Sequence, residues 1–228
     1  MLLNYSAKYR PKLQEIKMNL RTAFYISILI ALICSVTQAQ AQRTWVSGLG
    51  DDGNPCSRTA PCRTFAGAIA KTATGGEIDC LDPSGFGPVI ISKSITIDGT
   101  RGLSGILATT LPNVITINLT TPNDAAKTVR LRGLSLNGLG TGTNGINVIS
   151  DGSVSVEDCV IDGFAIGIKD DTAALFVRNT TIRNNRTAGI AAKGKVGLAD
   201  VALVFNDTAT QGSLIQLLGN VYLFGNRR

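Results

Sequence analysis

A short alternation of apolar and polar residues recurs seven times between residues 95 and 225. The period of two residues indicates β-strands, and the Gly, Asn and Asp residues between the apolar runs indicate turns. Each occurrence of this alternation is called a phrase here. Successive phrases lie 19 to 25 residues apart, a spacing typical of a stacked solenoid in which each repeat forms one coil. The aliphatic residues at the centres of the seven phrases are Ile97, Ile117, Leu136, Ile161, Ile182, Leu203 and Leu223.

The phrases also predict which side chains face the core and which form ladders between coils. Stacked parallel strands lie about 4.8 Å apart, so equivalent positions should form columns. The central residue and the residue two before it are almost always apolar, which places both columns in the core. Three residues before the centre stand Asp158, Asn179, Asp200 and Asn220, which we interpret as a polar ladder at a corner. One residue earlier, Arg132, Glu157 and Arg178 should form a ladder of alternating charge.

The column after the central aliphatic predicts a polar strip on the outer surface. Extended polysaccharides match such strips in length and hydrogen-bonding character, although ordinary solvated sheet surface is the alternative. Carbohydrate platforms usually add exposed aromatic rings, for which Tyr222 and Phe224 are the candidates. The five binding candidates in this strip are Asp98, Asn118, Asn137, Asp162 and Arg183.

Residues 1–41 have the pattern of a secretory signal peptide: basic residues, an apolar run and the small-residue pattern Ala39-Gln-Ala41. The apolar run from Ala23 to Val36 has about 14 residues, short of the roughly 20 that a permanent membrane span needs. We therefore expect a secreted or cell-envelope protein without a permanent span. The chain has a formal net charge of +6, but five of its 22 basic residues and one of its 16 acidic residues lie in this segment. No basic stripe remains that would favour a nucleic-acid partner.

Residues 42–76 should form an N-terminal strand, a disulfide loop and a capping helix, and residues 77–228 the coils. Cys56 and Cys62 flank a short loop in an exported chain and are predicted to form a disulfide. Cys80 and Cys159 lie too many coils apart to pair, so both should be buried thiols. A helix is expected from Thr64 to Thr74, where its apolar face would cover one open end of the stack. No such cap is evident at the other end, which allows end-to-end association or a place within a larger adhesin.

From about Arg43 onwards the chain resembles the right-handed parallel β-helix proteins of the pectin lyase-like superfamily. It is most similar to a secreted bacterial branch, through the segment Arg43-Thr-Trp-Val-Ser-Gly-Leu-Gly-Asp-Asp-Gly-Asn-Pro-Cys-Ser-Arg-Thr-Ala-Pro-Cys-Arg-Thr-Phe-Ala-Gly-Ala-Ile69. The resemblance implies an all-β, right-handed parallel β-helix with a short capping helix. It does not imply one activity, because that superfamily contains lyases, hydrolases, epimerases, adhesins and proteins of other kinds.

The sequence offers little catalytic chemistry, since it contains no histidine to serve as a general base or metal ligand. Hydrolases on this fold use clustered aspartates, and lyases use calcium with a basic residue. The corresponding candidates here are Asp162, Lys169, Asp170, Asp171 and Arg183, with turn chemistry as the alternative explanation. The Gly-His-Gly and Arg-Ile-Lys motifs of the hydrolases are missing.

The sequence therefore predicts a non-catalytic extracellular protein with a binding or structural role, a glycan as ligand and no cofactor. The alternative is a calcium-assisted polysaccharide lyase or hydrolase, and calcium is expected only in that case.

Overall fold

The computed structural model describes residues 40–227 apart from 102, 103 and 110, together with residues 19 and 25. The predicted signal peptide, residues 1–41, lies outside the described residues except at residues 19, 25, 40 and 41. From residue 41 onwards the chain forms a β-solenoid of about seven turns, in which the paired strands run parallel. Among the described residues, no helix is long and apolar enough to cross a membrane.

Three faces make up the solenoid, and each is a ladder of parallel strands from successive coils. Face 1 contains β1 (Ala41–Val46), β2 (Thr72–Cys80), β5 (Ile95–Asp98), β8 (Thr128–Arg132), β11 (Ser153–Glu157), β14 (Ala174–Arg178) and the second halves of β16 (Ala188–Ala199) and β18 (Thr208–Leu217). Face 2 contains β4 (Val89–Ile91), β7 (Asn113–Ile117), β10 (Asn144–Val148), β13 (Ile166–Asp170) and the first halves of β16 and β18. Face 3 contains β3 (Ser84–Gly85), β6 (Ser104–Leu107), β9 (Leu134–Asn137), β12 (Val160–Asp162), β15 (Thr181–Arg183), β17 (Val201–Val204) and β19 (Val221–Phe224).

The predicted N-terminal cap is confirmed, with a shorter helix. Helix α1 spans Phe65–Lys71, and the Thr64 side chain caps its first turn by accepting a hydrogen bond from the backbone of Gly67. Phe65 is buried and packs against Phe86, with ring centroids 5.2 Å apart. The helix ends earlier than expected because Thr72 is already extended and opens strand β2, so the pair Gly75-Gly76 lies within a strand.

The cysteine predictions hold. Cys56 and Cys62 form a disulfide in the loop before α1. Cys80 and Cys159 are buried free thiols, and burial raises the pKa of each to about 12. Neither thiol is therefore a reactive nucleophile near neutral pH.

The predicted alignment of the seven phrases is right for five of them and wrong for the first two. Leu136, Ile161, Ile182, Leu203 and Leu223 form one column on face 3. Ile97 instead pairs with Leu131 on face 1, and Ile117 pairs with Val148 on face 2. The apolar alternation is the same on all three faces, so it cannot assign a phrase to a face. The early coils are also longer, with residues 118–127 connecting β7 to β8.

Two polar ladders hold the corners next to face 3. Between faces 1 and 3, the predicted ladder is confirmed: Asp158, Asn179 and Asp200 adopt left-handed backbone conformations, and the Asn179 amide donates to Asp158 at 2.7 Å. The ladder between faces 3 and 2 was not predicted. There the Asn185 amide donates to Asn206 Oδ1 at 2.7 Å, and the Asn206 amide donates to Ile182 O at 3.0 Å. Both asparagines are 1% exposed, so their hydrogen bonds form inside the solenoid.

We expect Asn206→Ala to lower the free energy of unfolding by about 2–4 kcal/mol, because it leaves buried N–H and C=O groups without partners. Asn220→Ala is the matched control. Asn220 is exposed and donates one bond of 3.3 Å to Asp200, so its loss should cost less than about 1 kcal/mol. Urea unfolding followed by circular dichroism measures both values. If both variants lose the same free energy of unfolding, the buried ladder does not stabilise the fold more than the exposed one.

Candidate functional site

The outer surface of face 1 carries a column of charged side chains that crosses five coils. Its members, in stacking order, are Asp79, Asp98, Arg132, Glu157 and Arg178. The alternation of Arg132, Glu157 and Arg178 predicted from the sequence is confirmed, and Arg178 lies 2.9 Å from Glu157. Burial opposes ionisation of Glu157, but hydrogen bonds from Ser155 and Arg178 outweigh it and hold the pKa of Glu157 below its ordinary value.

The two carboxylates at the N-terminal end of this column, together with Glu77 two residues before Asp79, lie close enough to be tested as a metal site. One oxygen each from Glu77, Asp79 and Asp98 falls within a 4.8 Å cluster. Arg43 contacts both Asp79, at 2.6 Å, and Glu77, at 2.9 Å, while Arg132 contacts Asp98 at 3.0 Å. Calcium takes six to eight oxygen ligands, and here two guanidinium groups already occupy the three carboxylates. The donor set fits an ion-pair network better than calcium.

A groove of about 540 Å³ opens farther along face 1, between the strands of the later coils. It is lined by Ser153, Ala174, Leu175, Phe176, Lys195, Val196, Gly197, Ile215 and Gln216. The depression follows from the small residues that face outward around it: Ser155 precedes Phe176 in its column and Gly197 follows it.

Phe176 supplies an aromatic surface in this groove. Its neighbours Leu175 and Val177 point into the core, so strand alternation turns Phe176 outward, where it is partly exposed. A Cβ at position 197 would lie 3.2 Å from the Phe176 ring and 3.0 Å from Leu218, so glycine provides the room for both side chains.

One cationic side chain lines the groove, and two more lie near it on face 1. Lys195 lines the groove, and Arg178 lies on the same strand as Phe176, two residues along and on the same side. Arg130 stands two strands away in the Phe176 column, half-exposed, and 3.5 Å from Glu157. Glu157 lies within 4.0 Å of Arg130, Arg132 and Arg178, so these three arginines outnumber the carboxylate that they share. The sequence interpretation missed this site, although the alternation in Ala174–Arg178 already places Phe176 outside.

The predicted polar strip does not form as one surface. Asn137, Asp162 and Arg183 do align on face 3, where Arg183 donates to Asp162 at 3.0 Å. Asp98 lies on face 1, and Asn118 follows β7 of face 2. The continuous strip of five is therefore wrong, because the first two phrases belong to other faces. The Asn137 column continues through Val204 to Phe224, one of the two aromatics proposed from the sequence.

The other candidates, Lys169, Asp170 and Asp171, lie on face 2 and at its corner with face 1. Lys169 faces outward and contacts Asp171 at 2.8 Å, and Lys193 contacts the same carboxylate at 3.2 Å. Hydrogen bonds from the two lysines lower the pKa of Asp171. Asp170 instead points inward and is 1% exposed, with Oδ1 accepting from the backbone of Thr172 and Ala173. Among the described residues its Oδ2 has no hydrogen-bond partner, and burial raises the pKa of Asp170.

These positions do not bring the catalytic candidates together. Asp162 and Arg183 form a pair on face 3, whereas Lys169 and Asp171 form a pair on face 2 and Asp170 belongs to the interior. A glycosidase needs two carboxyl groups facing one substrate, about 5–9.5 Å apart, and a lyase needs a base beside its metal-bound carboxylate. Each accessible carboxylate among these candidates is already paired with a cation.

Comparisons with known proteins show the fold. A crystal structure of pectate lyase Pel9A matches with a TM-score of 0.58 at 16% sequence identity, over 82% of this chain and 55% of that chain. This chain is a right-handed parallel β-helix protein. It spans about half the length of that neighbour. No protein-family model matches the chain, and no curated protein matches it either.

Asp170 and Asp171 should affect stability with opposite dependence on pH. Because the folded state raises the pKa of Asp170, protonated Asp170 contributes favourably to the stability of the fold at acid pH. This contribution is lost as the pH rises through the raised pKa. Asp170→Asn keeps the Oδ1 acceptor without the buried charge, so it should raise the urea midpoint at pH 7 and have a smaller effect at pH 4.

Asp171→Asn is the matched control. Because the folded state lowers the pKa of Asp171, ionised Asp171 stabilises the fold at pH values above its ordinary pKa. This contribution is lost as the pH falls through the lowered pKa. The variant should therefore lower the midpoint slightly at pH 7 and leave it unchanged in acid, since partly exposed pairs contribute about 0–1 kcal/mol. If Asp170→Asn lowers the urea midpoint at pH 7, or changes it equally at pH 7 and pH 4, the account of Asp170 is wrong.

Proposed function

We propose that this protein is a non-catalytic extracellular glycan-binding protein that holds an acidic polysaccharide in the groove on face 1. The groove that contains Phe176 and Lys195, with Arg178 and Arg130 nearby on the same face, carries this proposal. Sugar rings present apolar C–H faces that pack on an aromatic side chain, while their hydroxyl and carboxylate groups accept hydrogen bonds from polar side chains. Lys195, Arg178 and Arg130 favour a polymer that bears negative charge.

The architecture supports an extended ligand. Face 1 repeats its outward positions from coil to coil along a ladder of parallel strands, so a polymer lying on it meets outward side chains at regular intervals. A rigid sheet also presents its side chains without the ordering cost that a flexible loop would add on binding. The structural neighbour is a pectate lyase, which makes polygalacturonate the first acidic glycan to test.

The disulfide in the N-terminal cap supports an extracellular role. The Cys56–Cys62 disulfide closes a loop at the capped end of the solenoid, and disulfides persist in oxidising compartments outside the cytosol. Export by the predicted signal peptide, residues 1–41, belongs to the same proposal.

We expect Phe176→Ala to weaken binding to polygalacturonate about fivefold, since stacking on an aromatic ring contributes on the order of 1 kcal/mol. Affinity electrophoresis in gels containing polygalacturonate, compared with gels containing neutral xylan, measures the change. Ile90→Ala is the control, because Ile90 is also exposed and apolar but lies on face 2. Equal retardation of the Phe176→Ala variant and the unaltered protein would overturn the proposed site.

The charged rim gives a second, independent expectation. Lys195→Gln should lower the affinity for polygalacturonate by roughly three- to tenfold and reduce its dependence on salt, because a charge-assisted contact is lost. Lys193→Gln removes the same charge two residues away beside Asp171, so it should have a smaller effect. Isothermal titration at two salt concentrations separates the two variants, and equal effects would mean that net charge rather than the groove attracts the polymer.

The same preparations test the catalytic alternative. Incubation with polygalacturonate, with and without calcium, should release no unsaturated or reducing sugar. Calcium-dependent release that is lost in Asp162→Ala or Asp171→Ala would establish an enzyme and overturn the non-catalytic proposal.

A further inference from the structure

The last coil of the solenoid leaves part of its core open to solvent. Leu223 stands in the same column as Leu203 and Ile182, and strand alternation turns it inward with them. Leu203 and Ile182 are 0% exposed, whereas Leu223 is 62% exposed because no coil covers it among the described residues. A side chain that occupies a core column therefore lies at the surface.

The backbone of this coil has an open edge as well. The carbonyl oxygens of Asn220 and Phe224 accept hydrogen bonds from β17. Alternation therefore turns the N–H and C=O groups of Val221 and Leu223 to the opposite side, where no strand follows in the described part of the chain. Strand β18 has an open edge on the same side, since β16 is its one partner among the described strands. Both strands of the last coil can thus accept a further strand.

This edge lacks the features that keep an edge strand unpaired. Natural edge strands are usually protected by charged residues, proline or bulges. The segment from Thr208 to Asn226 contains neither a charged residue nor a proline. Asp207 and Arg227, which flank the segment, carry opposite charges, so a second copy of the same edge meets no excess of like charge.

The other end of the solenoid is covered and cannot serve as the partner. On the outer edge of β1, the backbone N–H groups of Trp45 and Ser47 donate to the carbonyl oxygens of Cys56 and Cys62 in the disulfide loop. Helix α1 contacts β1, β2 and β4. Head-to-tail stacking is therefore blocked, which leaves the C-terminal edge of a second copy as the matching surface.

We propose that the C-terminal coil is the interface of a homodimer in which two copies meet end to end about a twofold axis. The axis crosses the middle of face 3 and the opposite corner, between faces 1 and 2. Strand β19 pairs antiparallel with β19 of the second copy. Strand β18, which runs across faces 2 and 1, pairs with its own copy in the same way. This inference is independent of glycan binding.

The register of β19 follows from its side chains and its open backbone groups. With Val221 of one copy opposite Leu223 of the other, the N–H and C=O groups at the open edge form two hydrogen-bonded pairs. Both side chains then lie on the inner face and close the exposed end of the core. Tyr222 lies on the twofold axis, opposite Tyr222 of the second copy.

The exposed surface is large enough for a stable dimer. Five large apolar residues of the last coil are each more than half exposed: Leu217, Leu218, Tyr222, Leu223 and Phe224. Together they expose roughly 600 Å² in each copy, or roughly 1,200 Å² at two ends. Stable interfaces bury about 1,200–2,000 Å² in total, and the backbone edges add to the area here.

Light scattering during size-exclusion chromatography tests the dimer through its mass. The unaltered protein should have the mass of two chains, and Leu223→Lys the mass of one, because the dimer would bury an unpaired charge. Ile90→Lys is the matched control, since Ile90 is also 62% exposed but lies on the outer surface of face 2. It should remain a dimer, and circular dichroism checks that both variants fold.

Four results would overturn the proposal. They are a mass of one chain for the unaltered protein, assemblies whose mass grows with concentration, a dimer that persists in Leu223→Lys, and loss of the dimer in Ile90→Lys.

Tyr222→Cys tests the same interface without a buried charge, in case Leu223→Lys does not fold. Opposite residues of a non-hydrogen-bonded antiparallel pair have Cα atoms about 4.5 Å apart, which suits a disulfide. Mild oxidation should therefore link two copies of Tyr222→Cys and leave Ile90→Cys unlinked on a non-reducing gel. The native thiols Cys80 and Cys159 are buried and should not contribute. No link in Tyr222→Cys, or equal linkage in both variants, means that the antiparallel dimer is wrong.

Discussion

Backbone hydrogen bonding between coils is the constraint on which the rest of this structure depends. Each strand pairs with the strands of the coils on either side, so every coil must return its chain to the same three faces. That requirement places residues in columns, and a column inside the solenoid must be filled by side chains that tolerate identical neighbours. Aliphatic residues satisfy it by packing, and Asn185 and Asn206 satisfy it by bonding to each other and to the backbone. The same constraint leaves the outer columns free to vary, which is where the groove around Phe176 arises.

The stability of the fold and its proposed binding surfaces therefore come from alternate residues of the same strands. In β14, Leu175 and Val177 pack in the core while Phe176 and Arg178 point to solvent. Ion pairs between coils neutralise many of the charges on the outer surface of face 1, and Lys195 brings a positive charge into the groove. Carboxylates that could act in catalysis are instead engaged with lysine or arginine, or buried as Asp170 is.

Much of this architecture could be predicted from sequence because a solenoid repeats its local rules. The period-two phrases and their spacing indicate parallel coils, and polar residues such as Asp158 and Asn179 mark the tight corner. The assignment of phrases to faces could not be predicted for Ile97 and Ile117, since strands on all faces share one alternation and the early coils differ in length. A second signal was present: the dipeptide Gly-Ile recurs at intervals of 22 residues at 145, 167 and 189, all on face 2, where a Cβ would clash with the backbone of the next coil, whereas Gly105-Ile106 falls outside this spacing and lies on face 3. The site itself depends on which outward positions become neighbours, and that follows only from the correct register.

The near-constant length of the later coils also has an evolutionary consequence. Asp158, Asn179, Asp200 and Asn220 recur at intervals of 20 or 21 residues, so duplication or loss of one such unit preserves the columns on all three faces. A lineage can thus lengthen or shorten the molecule by about 4.8 Å at a time without redesigning its interior. Such a change does not affect the helix and disulfide at the capped N-terminal end, because they contact only the first coils. The length of the outer faces can therefore change in discrete steps while the packing inside each coil stays the same.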